Sequence, residues 1–178
     1  MTEETRIVSL TELKNHLRIT DTNDDTLLSS LLSAAEDQVE SYLGYSIAHS
    51  DEYEEEYEIK KLIYLNHAPC VSVESIIDKD DEEYDDNDYT ILPLGIIRLS
   101  GTISGEEGEI LTITYEGGYE SAPEAIKLAV KIIVESLYNR LGSHGAKSEN
   151  TGGYSVQYVD DIPPTAKTLL GPYRRIRI

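Results

Sequence analysis

Three stretches of the sequence hold residue types that bind metal ions, and spacing tests each of them. Asp21, Asn23 and Asp25 copy the start of a calcium loop. Thr26 stands where the sharp turn needs glycine, and Leu32 where the bidentate glutamate belongs, so this loop fails. The run from Asp78 to Asp88 has no register that satisfies both positions and offers only nonspecific cation condensation. His67 and Cys70 have a ligand spacing, but no second cysteine pair and no nearby histidine completes a zinc set. No metal, cofactor or catalytic residue is assigned on these grounds.

Nucleophilic and phosphate-binding chemistry has no better footing. The chain contains no G-x-S-x-G turn, no P-loop and no dinucleotide glycine pattern. Carboxylates are so abundant that a close Asp/Glu pair arises without any catalytic demand. No enzyme is therefore expected, and an enzyme with an acidic metal site rests on carboxylate abundance alone.

The electrostatic exception is "IPPTAKTLLGPYRRIRI". From Pro163 onward it carries Lys167, Arg174, Arg175 and Arg177 and no acidic side chain, in a chain of net charge −19. A frayed terminus is one reading. The other is an arm that docks on an acidic groove, with Arg174, Arg175 and Arg177 pairing carboxylates and Tyr173 as aromatic anchor. Leu169, Leu170, Ile176 and Ile178 favour the arm, because a merely solvated tail does not need them. Such an arm adds little to the core.

The elements that position these residues follow from periodicity. Ser9-Leu10-Thr11-Glu12 has capping-box spacing and opens a short helix ending near Leu17. A second helix begins near Asp24 or Asp25 and stops at Gly44. Leu28, Leu31, Ala35, Val39 and Tyr42 form its stripe, which Leu27, Leu32 and Leu43 widen. From Asp51 to Tyr89 there are 15 acids against three lysines. Within it, Tyr53, Tyr57 and Ile59 alternate with Glu52, Glu54, Glu56 and Glu58 at strand period. "VSVESIID", "YTIL", "IIRL" and "EILTITY" read as further strands of one antiparallel sheet, with "DKDDEEYDDND" as an exposed loop.

Ser121-Ala122-Pro123-Glu124 repeats the capping-box spacing and opens a helix to about Leu141. Lys127, Lys131, Glu135 and Asn139 mark its polar stripe. The remaining girth, including Ile133 and Leu137, is apolar and calls for cover on several sides, in part by another subunit. "GSHGAKSENTGG" reads as a mobile loop, and a short helix follows before Gly171-Pro172. The fold class is α+β: a mainly α-helical core of two long and two short helices with an inserted antiparallel β-sheet. In ranges, 1–47 holds the N-terminal helices, 51–116 the acidic β insertion, 121–142 the central long helix, and 162–178 the last helix and basic arm.

Composition bounds the setting. A chain of 178 residues with 39 % hydrophobic and 28 % charged residues supports one domain with a real core. All 13 aromatics are tyrosines, which suits packing surfaces whose edges reach water or a partner. The lone Cys70 makes a reducing compartment the default. Neither a secretory signal nor a membrane-length apolar run is seen, so no membrane role is expected. The charge repels phosphate and disfavours DNA binding through a basic face.

"SLTELKNHLRITDTNDDTLLSSLLSAAEDQVESYLG" resembles the opening of the tailed-bacteriophage head–tail connector family, also called adaptor or head-completion proteins. Its members show a Lys-x-x-Leu-Arg-Ile stretch, an acidic linker, then Leu-rich and Ala-Ala segments. "ITYEGGYESAPEAIKLAV", "SLYNRLG" and "IPPTAKTLLGPYRRIRI" fit the same family in the same order. The strongly acidic middle departs from the pattern and resembles the variable sheet of longer members.

The resemblance implies a structural virion protein. It implies a homo-oligomeric ring, matching a twelve-fold portal, that sits beneath the portal protein at the head–tail interface and passes through the host cytoplasm during assembly. The ring extends the channel for genomic DNA without binding it specifically and receives a tail-side stopper or other connector component. Tyr173, Arg174, Arg175 and Arg177 then become portal-docking residues, and Leu28, Leu31, Ala35, Val39, Ile133 and Leu137 subunit-packing residues. An acidic interaction module or DNA mimic that occupies a basic partner protein is the alternative, supported by the charge run alone.

Overall fold

The computed structural model describes residues 7–80, 82–100, 108–142, 148–151, 154–157 and 162–176. In chain order the elements are α1 (Leu10–Leu17), α2 (Asp25–Leu43), β1 (Ser50–Glu58), β2 (Leu62–Tyr64), β3 (Cys70–Asp78), β4 (Tyr89–Leu92), β5 (Ile96–Leu99), β6 (Ile110–Gly117), α3 (Glu124–Gly142), β7 (Ser148–Thr151), β8 (Tyr154–Gln157) and α4 (Pro164–Leu170). A 3-10 turn, Gly171–Tyr173, continues α4, so Gly171-Pro172 tightens the helix before ending it. The chain divides into two compact units, one of Met1–Gly44 with Ser121–Ile178 and one of Tyr45–Glu120.

In the helical unit, α1 starts on a reciprocal cap. The Ser9 hydroxyl accepts the Glu12 N–H at 3.2 Å, and the Glu12 carboxylate accepts the Ser9 N–H at 2.8 Å. The Ser9 N–H and the Ser9 hydroxyl, which donates to the same carboxylate oxygen at 2.9 Å, hold the Glu12 carboxyl below its ordinary range, with the Lys127 and Lys131 charges behind them. The Glu36 carboxylate on α2 accepts the N–H groups of Ile7 and Val8, tying the start of the described chain to that helix. The acids at the start of α2 are also committed. Asp25 pairs with Lys14 at 2.6 Å, and Asp24 accepts the Tyr138 hydroxyl of α3 at 2.6 Å.

Burial corrects the stripe on α2. Leu28, Leu32, Ala35, Val39 and Leu43 are the buried residues, at steps of three and four. Leu31 and Tyr42 are half-buried flanks, and Leu27 is exposed. The helix ends as expected, with Gly44 at φ +83° and its N–H on the Glu40 carbonyl.

α3 packs against α1, α2 and α4, which cover Ile126, Ala129, Val130, Ile133 and Val134 within the unit. Its start differs from the expected capping box. The Pro123 carbonyl takes the first helical N–H groups, from Ile126 and Lys127, and the Ser121 hydroxyl accepts the Lys127 ammonium. Helix formation begins at Glu124, which leaves Ser121 too far back to cap it. On the surface of α3, Glu135 and Asn139 are exposed while Lys127 and Lys131 are half-buried.

Part of the expected mobile loop is ordered. Ser148–Thr151 pairs antiparallel with Tyr154–Gln157, with Thr151 opposite Tyr154. The Gly152-Gly153 pair between them in sequence is a two-residue hairpin signal, and read as a linker it hid the hairpin. Residues 143–147 and 152–153 of that loop lie outside the described residues, as do Arg177 and Ile178.

The Tyr45–Glu120 unit contains two sheets where one was expected. β1, β6 and β3 form one three-stranded antiparallel sheet with β6 central, and β2, β5 and β4 form the other. Ile76, Leu111, Ile113 and Tyr115 from the first join Ile63, Ile97 and Leu99 from the second in one buried cluster. The chain is thus α+β, and the β unit has a core of its own. The acidic loop after β3 folds on its own acids. Asp78 Oδ1 accepts the N–H groups of Asp80 and Glu82, and Asp88 accepts that of Asp85.

Candidate functional site

The basic segment lies along the end of α2. Its backbone is fixed first: the Arg175 N–H donates to the Leu43 carbonyl at 2.9 Å, meeting one of the carbonyls that a helix C-terminus leaves without a partner. The Arg175 side chain is then 5 % exposed, an arginine inside the unit. Arg174 points the other way, remains exposed, and sets its guanidinium over the Tyr42 ring. Tyr173 is half-buried, and Ile176 is 73 % exposed.

From sequence alone this segment is an appendage that contributes little to the core. Arg175 overturns that part, because a buried, backbone-paired residue belongs to the packing of the helical unit. An alternation explains the split. In the extended chain after the 3-10 turn, neighbouring side chains point in opposite directions, so Arg175 turns inward while Arg174 and Ile176 turn outward. Beside this segment, Asp37, Gln38, Ser41, Tyr42 and Ile162 line a shallow open depression of about 340 Å³.

Of the six residues assigned to subunit packing, Leu28, Ala35, Val39 and Ile133 are wholly or almost wholly buried within the helical unit, and Leu31 and Leu137 are half-buried. The first four are core residues of a single chain. Among the described residues of this unit, the large apolar side chains that are exposed are Leu27, Leu128, Leu141 and Ile176.

A polar knot that the sequence reading missed lies in the β unit. Glu55 shares a face of β1 with Tyr53 and Tyr57, while Glu54 and Glu56 are exposed. Its carboxylate accepts the hydroxyls of Tyr57 and Tyr115, the latter at 2.7 Å, and lies 3.2 Å from His67 Nδ1. The Tyr115 oxygen accepts the His67 N–H at 3.2 Å, and the Tyr57 oxygen that of Asn66 at 2.9 Å. Tyr53 stacks flat on the His67 ring, centroids 3.7 Å apart.

Burial alone would raise the Glu55 carboxyl, but the two tyrosine hydrogen bonds and the neighbouring His67 ring hold it below its ordinary value. Burial and the same carboxylate push both tyrosine hydroxyls up. The knot is therefore a carboxylate gripped by neutral phenols, and its internal donors occupy the oxygens a reacting group would need. Phase was the available signal: Glu55 is the one glutamate of β1 in step with the tyrosines.

The two expected non-partners, His67 and Cys70, are used separately. His67 serves Glu55, and burial pushes the Cys70 thiol up to about 11, far from the reactive thiolate range. Among the described residues, His49, Asp51 and Glu116 are the set that brings three metal-ligating atoms together. No described helix is long and apolar enough to cross a membrane.

A comparison with protein families matches residues 6–176 to the head completion proteins. The chain belongs to the head completion protein family. Membership agrees with the resemblance carried by the helices. The fold is also similar to a chain solved in the neck of an empty GTA particle computed with C6 symmetry. The two share 16 % identity over 97 % of this chain and 91 % of that one, with a TM-score of 0.62. No curated protein matches the sequence at a significant level. Membership in the head completion family supports a head–tail connector role.

Proposed function

We propose that this head completion protein assembles as a homo-oligomeric ring beneath the portal, extends the DNA channel, and presents its far side to a tail-side stopper or other neck component. The observation that carries this reading is the family match over residues 6–176, which takes in the helices, the β unit and the basic segment alike. The likeness to a neck chain supports it through the fold. A six-fold neck and a twelve-fold portal are commensurate, so a copy number that is a multiple of six suits both. A net charge of −19 per copy suits a channel that DNA must cross without sticking, because carboxylates near the lumen repel phosphates.

Portal docking falls to the outward residues of the basic segment. Arg174 supplies a permanent charge, Tyr173 an aromatic edge and Ile176 an apolar contact, with Arg177 beyond them. Arg175 acts from within, holding the segment on α2. The like charges oppose self-association, so the free chain is monomeric at low salt and the ring forms on the portal or as salt screens the repulsion.

Electron microscopy of the purified chain with and without its portal tests this. Rings that cap the portal are the expected result. Failure to join the portal at any salt concentration overturns the reading, and soluble one-to-one capture of a basic protein would favour an acidic interaction module.

A further inference from the structure

The start of β1 carries an irregularity with chemical consequences. The ladder pairs Ser50 with Gly117 and Tyr53 with Tyr115, so Asp51 and Glu52 together stand opposite the single residue Glu116. An extra residue of this kind re-aims the side chains around it. Here one ligand atom from each of His49, Asp51 and Glu116 comes within 4.8 Å of the others.

The backbone around the three is set independently of their side chains. Tyr119 donates its N–H to the Ile47 carbonyl at 3.1 Å, and Gly118, at φ +86°, lies so close to Ala48 that a Cβ would sit 1.9 Å from its carbonyl oxygen. His49 is thereby held beside the end of β6. Glu116 is oriented by the Ser72 hydroxyl, which donates to its Oε2 at 3.3 Å and leaves Oε1 turned toward His49.

Two features of this arrangement are unfavourable as they stand. His49 Nε2 is closed off from solvent and makes no hydrogen bond, and Glu116 Oε1, 3.5 Å away, pairs with it only when the ring is protonated. Two carboxylates also face each other across an antiparallel pair, a like-charge juxtaposition that destabilises a sheet. A cation among the three groups would relieve both, giving the nitrogen a partner and the carboxylates a counter-charge.

We propose that His49, Asp51 and Glu116 bind one divalent transition-metal ion of the zinc class. An imidazole nitrogen selects such an ion over magnesium or calcium, which prefer all-oxygen sets. Three protein ligands leave the remaining position to water. Closing the atoms onto bonds of about 2.0–2.2 Å needs a modest inward movement. Asp51, exposed on the irregular turn of the strand, makes it, while His49 and Glu116 are held by their surroundings. The Ser72 hydroxyl is the outer contact that fixes the Glu116 carboxylate. The bound ion staples the first residues of β1 to the last of β6.

In the acidic loop, by contrast, the Asp78 and Asp88 carboxylates already accept the loop's own N–H groups, and no imidazole is present to select a zinc-class ion. The ligands escaped the sequence reading because Glu116 reaches the other two only through strand pairing.

Zinc chloride titrated calorimetrically into the untagged, chelator-stripped full chain tests the proposal, with melting followed in parallel. The expected result is saturable uptake of one ion per chain that raises the melting midpoint and is not displaced by excess Mg2+. His49→Ala and Glu116→Gln should each weaken it by on the order of tenfold or more. The double change Asp85→Asn with Asp86→Asn in the acidic loop should leave it intact. Absence of saturable uptake, or uptake that survives His49→Ala, overturns the site. So does uptake that falls equally with the loop changes, which is condensation on a charged surface. Should His49→Ala not fold, the imidazole resonances of the unaltered chain decide: zinc must shift those of His49, and an unmoved His49 refutes it.

Discussion

The Arg174 guanidinium lies over the Tyr42 ring, its central carbon 4.9 Å from the ring centroid. This contact joins the basic segment to the last turn of α2 from the outside, while the neighbouring Arg175 does so from the inside. Removing residues 171–178 should therefore lower stability, against the expectation of a dispensable arm. Arg175→Ala should cost about 1–3 kcal/mol through its buried side chain, and Arg174→Ala about 0.5–1 kcal/mol through the ring contact. Urea denaturation measures both. Equal melting of truncated and full-length chains would show that the segment is not packed.

Glu55 should make the β unit sensitive to acid. Its carboxyl is held below the ordinary 4.5, so the folded state binds that proton less readily than the unfolded chain does. The stabilisation is present above the unfolded value and is lost as the pH falls through the lower folded value. Glu55→Gln should flatten the loss of stability as the pH falls below the ordinary carboxylate value. Tyr115→Phe, which removes a donor to that carboxylate, should do so partially. Unchanged acid-melting curves in both variants would disprove the assignment.

Two glycines at similar φ should respond very differently to alanine. Gly44 sits at φ +83° with its nearest neighbour atom 3.8 Å from the added Cβ, so Gly44→Ala should cost only the left-handed strain, about 1 kcal/mol. Gly118→Ala drives a methyl into the Ala48 carbonyl and should cost about 4 kcal/mol or more. Thermal melting ranks the pair. Similar midpoints would mean that the backbone approach at Ala48 is absent.

Core position should separate neighbours on one helix. Ile133→Ala and Leu32→Ala, at buried sites, should each cost about 2–5 kcal/mol, and the half-buried Leu137→Ala and Leu31→Ala distinctly less. Comparable losses across all four would signal that Leu31 and Leu137 are buried by another copy of the chain.

Helix positions were legible because capping chemistry and glycine stops are local. Ser9 with Glu12 and the left-handed Gly44 depend on residues a turn away. The phase of α2 was harder: Leu27, Leu28, Leu31 and Leu32 are all apolar, and only packing against α3 chooses Leu28 and Leu32. In the β unit the strands were readable from alternation, while their division into two sheets depends on pairings across long sequence distances. The same limit hid the Glu55 knot and the His49 set, since Tyr115 and Glu116 come from a distant strand. The basic segment was legible in charge but not in direction, because inward and outward arginines look alike in sequence.

The β unit begins and ends side by side. Ile47 and Tyr119 share a backbone hydrogen bond, and Ala48 and Gly118 touch. A chain segment with neighbouring ends can be lengthened, shortened or exchanged as a cassette, since replacing it requires only that the new piece also return to its starting point. Such a replacement leaves untouched α2 and α3, which flank the segment in sequence. For protein engineering, the clasp at Ile47 and Tyr119 is the natural splice point.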